Sequence, residues 1–184
     1  MSDSVVLIGP PGAGKSTVGK NLADLLQRNF IDTDLEIEKM ASKKIADIFY
    51  EEGEPHFRVL EEKAVLASLK VKDSIISLGG GAVINLPVAK ALKSHNFVVF
   101  LDVSISAAAP RIGFNRERPM LMVNPRQQWQ ELMVKRRPIY QSLSNLSLDT
   151  TEKSPRQIAL EIAKSFNLTV IQLDEEGKKK LANS

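Results

Sequence analysis

The sequence predicts a doubly wound α/β fold, in which helices cover both faces of a parallel sheet of about five strands. Short runs rich in β-branched residues alternate with segments whose apolar residues recur at helical spacing. The runs are mostly apolar and do not alternate with polar residues in the way of half-exposed strands, which is typical of parallel strands buried on both faces. Two of the runs end directly in glycine-rich turns, at residues 9–14 and 79–81.

The elements follow in order from these patterns. The predicted strands are the short apolar runs at residues 5–8, 30–33, 74–78, 97–102 and 146–149. The first helix follows the first glycine-rich turn and carries Val18, Leu22, Leu25 and Leu26 on one face. The later helices are predicted at residues 35–52, as one or two helices, and at 55–69, 88–92, 126–140 and 155–166.

Composition restricts the kind of protein. Of the 184 residues, 43% are hydrophobic and 26% charged, which fits one globular domain with a sizeable core. The net charge of +3 is too small to indicate a protein that coats nucleic acid. The sequence has no Cys, and it shows neither the pattern of a secretory leader nor an apolar run of membrane-spanning length. We therefore expect a cytoplasmic protein, and we expect a monomer although no residue pattern bears on the oligomeric state.

The segment GPPGAGKS at residues 9–16 fits the pattern G-x-x-x-x-G-K-[ST] between a predicted strand and a predicted helix. Its glycines allow backbone N–H groups to surround phosphates, and Lys15 would reach the β and γ oxygens. Ser16 would supply a hydroxyl ligand for Mg²⁺. The alternative is a Gly/Pro-rich turn beside an unrelated Lys, but the strand-loop-helix context favours nucleotide binding.

The acceptor of the phosphate is expected at the carboxyl ends of the other strands. Asp32 and Asp34 end the second strand and would serve a kinase as a metal-side carboxylate and a hydroxyl acceptor, although Thr33 to Glu36 also fits a capping box. Arg58 would bind an anion or merely pair with Glu54 or Glu61 at the surface, and local sequence does not separate these readings. The three glycines at residues 79–81 indicate a close approach of backbone to a ligand, or a flexible turn.

Further arginines stand near the predicted site. Arg136 continues an apolar stripe of its helix and should face inward, towards an anion or a carboxylate. Arg137 should point away, and Pro138 should disfavour helix there. Residues 113–125 lack periodicity and carry Arg116 and Arg118, so they form either a solvated loop or a lid over the phosphates.

Together the segments GPPGAGKST, FIDTD, GEPHFR, LGGGAV, RP and KRRPIY resemble the shikimate kinase family over residues 4–166. The resemblance implies a nucleoside-monophosphate-kinase-like fold with strand order 2-3-1-4-5, and transfer of the ATP γ-phosphate to the 3-hydroxyl of shikimate in aromatic biosynthesis. It implies one kinase domain at residues 1–167, with a lid at about 112–125, and a tail at 168–184.

The resemblance also implies a role for each matched residue. Lys15, Asp34 and Arg118 would be catalytic. ATP would contact Gly12, Ala13, Gly14, Lys15, Ser16, Thr17, Arg111, Arg118 and Pro155. Shikimate would contact Asp34, Arg58, Gly79, Gly80, Gly81 and Arg136, between walls formed by Phe49 and Phe57. Mg²⁺ would be held by Ser16 and, through water, by Asp32. The alternatives are a gluconate-type or nucleotide kinase on the same fold, or a nucleotide-binding module without catalysis.

Overall fold

A computed structural model describes residues 4–112, 124–173 and 179–181 of the chain. One sheet has five parallel strands in the order β2-β3-β1-β4-β5, as predicted. The strands are β1 Val5–Ile8, β2 Asn29–Asp32, β3 Ser74–Ser77, β4 Val98–Asp102 and β5 Leu146–Asp149. The helices are α1 Lys15–Leu26, α2 Thr33–Ala41, α3 Ile45–Glu51, α4 Gly53–Ser68, α5 Leu86–Lys93, α6 Ile105–Ile112, α7 Pro125–Leu143 and α8 Pro155–Ser165.

The helices cover both faces of the sheet. The connection from β1 to β2 runs towards one edge of the sheet, and the connections to β3, β4 and β5 run towards the other edge. With right-handed crossovers, α1 therefore lies on one face of the sheet and α4, α5 and α7 lie on the other. The central strands β1, β3 and β4 are buried, and apart from Ser74, Ser77 and the half-buried Asp102 their residues are apolar, as is typical of parallel strands covered on both faces. A smaller apolar cluster of Ile37, Ile48, Phe57 and Ala64 joins α2, α3 and α4 beside the main core. This cluster fixes the helices that carry the predicted acceptor residues.

Three parts of the fold differ from the sequence predictions. Helix α6 was not predicted. Helix α7 continues through Pro138, because Met133, Tyr140 and Leu143 are buried on both sides of it and their packing outweighs the local cost of about 3 kcal/mol. Beyond the last helix, β6 Ile171–Leu173 pairs antiparallel with β7 Lys179–Leu181; the sequence predicted no strands there, and the tail was expected to be an appendage or a frayed end.

The boundary of the domain at residue 167 stays a prediction, although Leu168 and Val170 still pack against the main core. Among the described residues, none of the helices combines the length and the apolar character that a membrane span requires.

Candidate active site

The loop between β1 and α1 turns its carbonyl oxygens to protein donors, while among its amides that of Ala13 donates to the Pro10 oxygen at 3.3 Å. Gly9, Gly12 and Gly14 have φ angles of 149°, 83° and 84°, a region that L side chains rarely adopt. The carbonyl oxygens of residues 9–14 all accept hydrogen bonds, from Lys15, Arg111, Trp129 and Thr150 side chains and from the Val18 amide. With the carbonyls engaged, the amide donors and the positive end of α1 are the groups suited to bind phosphates.

Lys15 lies across this loop. Its Nζ donates to the Gly9 oxygen at 2.9 Å and to the Pro10 oxygen at 3.0 Å. The ammonium group is therefore held at the mouth of the loop, on the first residue of α1. This placement fits a cation that contacts the outer phosphates of a nucleotide.

Ser16 and Asp32 meet as the metal prediction requires. The Ser16 hydroxyl donates to Asp32 Oδ2 at 2.6 Å, which brings a hydroxyl and a carboxylate from α1 and β2 together. Within the described residues, no group of three or more His, Asp or Glu side chains could hold a metal. A pair of this kind suits Mg²⁺, which keeps several waters and takes its other ligands from substrate phosphates.

The predicted capping box at Thr33 is wrong. Asp32 is the N-cap of α2, and its Oδ1 accepts from the Asp34 amide at 3.1 Å. Thr33 is buried, donates to the Ser77 oxygen and accepts from the Gly79 amide, so its hydroxyl ties β2 to the loop after β3. Capping therefore needs Asp32 alone, and it does not explain Asp34.

The acceptor residues converge on the three glycines that follow β3. A Cβ added at Gly79 would lie 2.6 Å from Asp34 Oδ1 and 3.2 Å from Glu61 Oε1. A Cβ added at Gly81 would lie 2.5 Å from Arg58 Nη1. A side chain at either position would displace the end of Asp34 or Arg58, so the two glycines leave room for the carboxylate and the guanidinium beside the backbone.

Arg58 makes both of the pairs that a surface reading predicted, but only one is at the surface. Its Nη2 lies 2.8 Å from Glu54, which is 51% exposed, and its Nη1 lies 2.7 Å from Glu61, which is 2% exposed. Its guanidinium also lies over the Phe57 ring, which packs against Phe49 at 4.5 Å between ring centroids. The two predicted walls thus lie directly beside Arg58.

Glu61 is a site residue that the sequence prediction missed. Burial raises the pKa of its carboxyl above 4.5 against the opposing effect of Arg58, and the nearby Asp34 carboxylate adds to the rise. The missed signal was helical spacing: Phe57, Glu61, Ala64 and Val65 share the inward face of α4. A Glu on such a face should meet a cation, and it meets Arg58.

Helix α7 brings Arg136 to the same loop. The Arg136 side chain faces inward as predicted, and its Nη1 donates to the Gly80 oxygen at 3.2 Å. Arg137, which was expected to point away at the surface, keeps 43% of its side chain exposed, and its Nη2 pairs with Asp102 Oδ1 at 3.0 Å at the carboxyl end of β4. The sequence pattern places Arg137 off the apolar stripe, but the end of the neighbouring strand reaches that side of the helix.

The predicted adenine contacts lie on the other side of the phosphate loop. Arg111, in the last turn of α6, donates to the oxygens of Gly12 and Thr150. Pro155 is exposed at the start of α8, where Ser154 and Gln157 form a capping box. Arg116, Arg118 and most of the predicted lid lie outside the described residues.

A glycine-rich loop with an apposed Lys, Ser and Asp, on a 2-3-1-4-5 parallel sheet, defines the class of P-loop kinases that phosphorylate small molecules. Arginines and carboxylates surround the second glycine loop, where the acceptor is expected. The profile of the shikimate kinase family matches residues 11–167, and the chain belongs to this family.

Relatives and solved structures agree with the family. The chain is 45% identical to the shikimate kinase of Salinispora arenicola over 89% of its own length and 97% of the relative's. It is 46% identical to that of Thermobifida fusca over 88% and 93%. It is similar to the structure of Acinetobacter baumannii shikimate kinase in complex with shikimate, with a TM-score of 0.87, 34% identity and coverage of 91% and 94%. The structure of the Aquifex aeolicus shikimate kinase gives a TM-score of 0.78, 32% identity and coverage of 89% and 96%.

Proposed function

We propose that this chain transfers the γ-phosphoryl group of ATP to the 3-hydroxyl of shikimate, giving shikimate 3-phosphate and ADP. The observation that carries the proposal is the contact between the two glycine loops. A Cβ added at Gly80 would lie 3.1 Å from Pro11 Cδ, so the loop that gathers Asp34, Arg58 and Arg136 packs directly against the phosphate loop. An acceptor held at the first loop would lie beside phosphates held at the second.

The donor side is proposed to work by positioning and charge. The amides of residues 12–17 would hold the phosphates, and Lys15 would turn from the Gly9 and Pro10 oxygens to the β and γ oxygens. Ser16 and Asp32 fit Mg²⁺, which would neutralise charge between the β- and γ-phosphates. Arg111 and Pro155 would flank the adenine, and Arg118 would contact the transferred phosphoryl group.

The acceptor side fits a small carboxylate that carries several hydroxyls. Arg58 and Arg136 would bind the carboxylate, since planar guanidinium groups match it with paired hydrogen bonds. Asp34 would accept a hydrogen bond from the acceptor hydroxyl and orient it towards the γ-phosphorus. The backbone of residues 79–81 would pass close to the ring, which the absence of side chains there allows.

We propose that the protein is a monomer and acts in the cytoplasm. Sedimentation velocity tests the oligomeric state.

The decisive experiment is an ADP-release assay with ATP, Mg²⁺ and a panel of acceptors: shikimate, gluconate and nucleoside monophosphates. We expect turnover to depend on shikimate. A higher kcat/KM with gluconate or a nucleoside monophosphate would replace the proposed acceptor, and ATP binding without turnover on any acceptor would indicate a non-catalytic module.

A further inference from the structure

The carbonyl oxygen of Gly80 accepts hydrogen bonds from two side chains of α7. The Tyr140 hydroxyl donates at 2.6 Å, and Arg136 Nη1 donates at 3.2 Å. The two donors are four residues apart and therefore lie on one face of the helix, one turn from each other. One carbonyl is thus held by a fixed phenol and by an arginine that belongs to the acceptor site.

Tyr140 is placed rigidly. Its side chain is fully buried and its ring stacks on Phe100 of β4, with 5.1 Å between centroids and 19° between planes. Burial raises the pKa of the hydroxyl to about 12, so the group remains a protonated donor through the neutral range. Burial outweighs the opposing effect of the nearby Arg136, so the hydroxyl keeps its proton for the hydrogen bond to Gly80.

The peptide that Tyr140 holds lies between the two substrate sites. The Gly80 backbone packs against Pro11 of the phosphate loop, while Gly79 and Gly81 on either side pack against Asp34 and Arg58. A shift or rotation of this peptide would move groups on the acceptor side directly.

The two donors have different tasks if the proposed function holds. A substrate carboxylate draws Arg136 away from the Gly80 oxygen, because a charge-assisted pair is stronger than a 3.2 Å bond to a carbonyl. If the half-buried carbonyl lost its donor, the unsatisfied acceptor would cost free energy, and this cost would oppose the movement of Arg136. We propose that Tyr140 is a positioning residue that keeps the Gly80 carbonyl bonded while Arg136 turns to the carboxylate of the acceptor. This inference rests on the proposed acceptor role of Arg136.

The variant Tyr140→Phe tests the proposal because it keeps the ring and removes only the hydroxyl. In this variant Arg136 is the remaining one of the two donors to the Gly80 carbonyl. Binding of the acid, which draws Arg136 away, must then leave that carbonyl without either of them. We expect KM for shikimate, and the dissociation constant from calorimetric titration, to rise about tenfold, the effect of one hydrogen bond to a part-buried acceptor. KM for ATP and kcat should stay within about twofold. The control is Tyr50→Phe, at the other tyrosine of the chain, which is 92% exposed.

A double-mutant cycle separates positioning from general support of the fold. In an Arg136→Ala background no arginine leaves the carbonyl on binding, so Tyr140→Phe should no longer change kcat/KM for shikimate. A tenfold loss that persists in this background, equal rises in KM for both substrates, or an unchanged shikimate KM in a folded variant would each overturn the proposal. Folding is checked by thermal unfolding and by the ATP KM.

The wild-type protein separates this proposal from the proposed function. If it binds shikimate without phosphorylating it, the proposed function fails while the titrations still decide the role of Tyr140. If it neither binds nor phosphorylates shikimate, both proposals fail. If it does both and the cycle shows no coupling, only the role of Tyr140 fails.

Discussion

Arg58 Nη1 and Glu61 Oε2 lie 2.7 Å apart, and the Glu61 side chain is only 2% exposed. The pair joins a buried carboxylate to a guanidinium that reaches the acceptor loop. Glu54 holds the other side of the same guanidinium from the surface. The proposed acceptor site is thus held by a buried residue on the inward face of α4.

The buried carboxyl of Glu61 should make stability depend on pH. Its pKa is higher in the folded protein than its ordinary value of 4.5, so its protonated form favours folding. The favourable contribution is full below pH 4.5 and is lost as pH rises through the folded pKa. The difference in unfolding free energy between wild type and Glu61→Gln, measured by urea denaturation, should therefore fall as pH rises from about 4.5. The exposed Glu152→Gln is the control, and a difference that rises with pH would contradict the prediction.

Arg58→Ala should weaken binding of the acid and leave binding of the nucleotide almost unchanged. Loss of hydrogen bonds to a charged carboxylate should raise KM for shikimate by about 10- to 100-fold, with a much smaller change for ATP. The control is Arg28→Ala, which removes an ion pair with Asp73. Both residues directly precede their strands, β2 and β3, at the end of the sheet away from the proposed site. Equal changes in both KM values would reject the carboxylate role of Arg58.

Lys15→Ala should remove charge aimed at the transferring phosphoryl group. We expect kcat/KM to fall by about 10²- to 10³-fold, as for other groups that stabilise a transition state electrostatically. Lys20→Ala changes an exposed Lys on the same helix and should leave kcat/KM near the wild-type value. Activity near normal in Lys15→Ala would refute the assignment of the loop.

Ser16→Ala should raise the Mg²⁺ concentration needed for half-maximal activity, by about tenfold or more. Asp32→Asn should act in the same direction while keeping the cap of α2, because an Asn side-chain oxygen can also accept from the Asp34 amide. Chelation of Mg²⁺ should abolish turnover in all variants. Ser142→Ala, at an exposed position of α7, provides the control, and an identical Mg²⁺ dependence in Ser16→Ala and wild type would exclude the hydroxyl as a ligand.

The sequence predicted the sheet, and it brought most of the proposed site residues together, because both depend on local signals. Apolar β-branched runs and glycine turns located all five strands, and strand ends located Asp34 and the glycines at 79–81. Glu61 was missed because a charged residue was taken as surface without regard to its helical phase. Pro138 was expected to disfavour helix, but the tertiary packing of α7 outweighs that local preference. No local signal shows that Tyr140 and Arg136 share one carbonyl, since that depends on how α7 crosses the end of β3.

Trp129 is the only tryptophan of the chain, and its Nε1 donates to the Pro11 oxygen of the phosphate loop at 3.1 Å. All indole fluorescence of this protein therefore originates beside the nucleotide site. Since indole emission responds to a change of hydrogen-bond partner or of nearby charge, occupancy of the loop should be visible as a change in intensity or wavelength. The unmodified protein would then carry its own optical probe for nucleotide binding, readable by stopped flow before any phosphate is transferred.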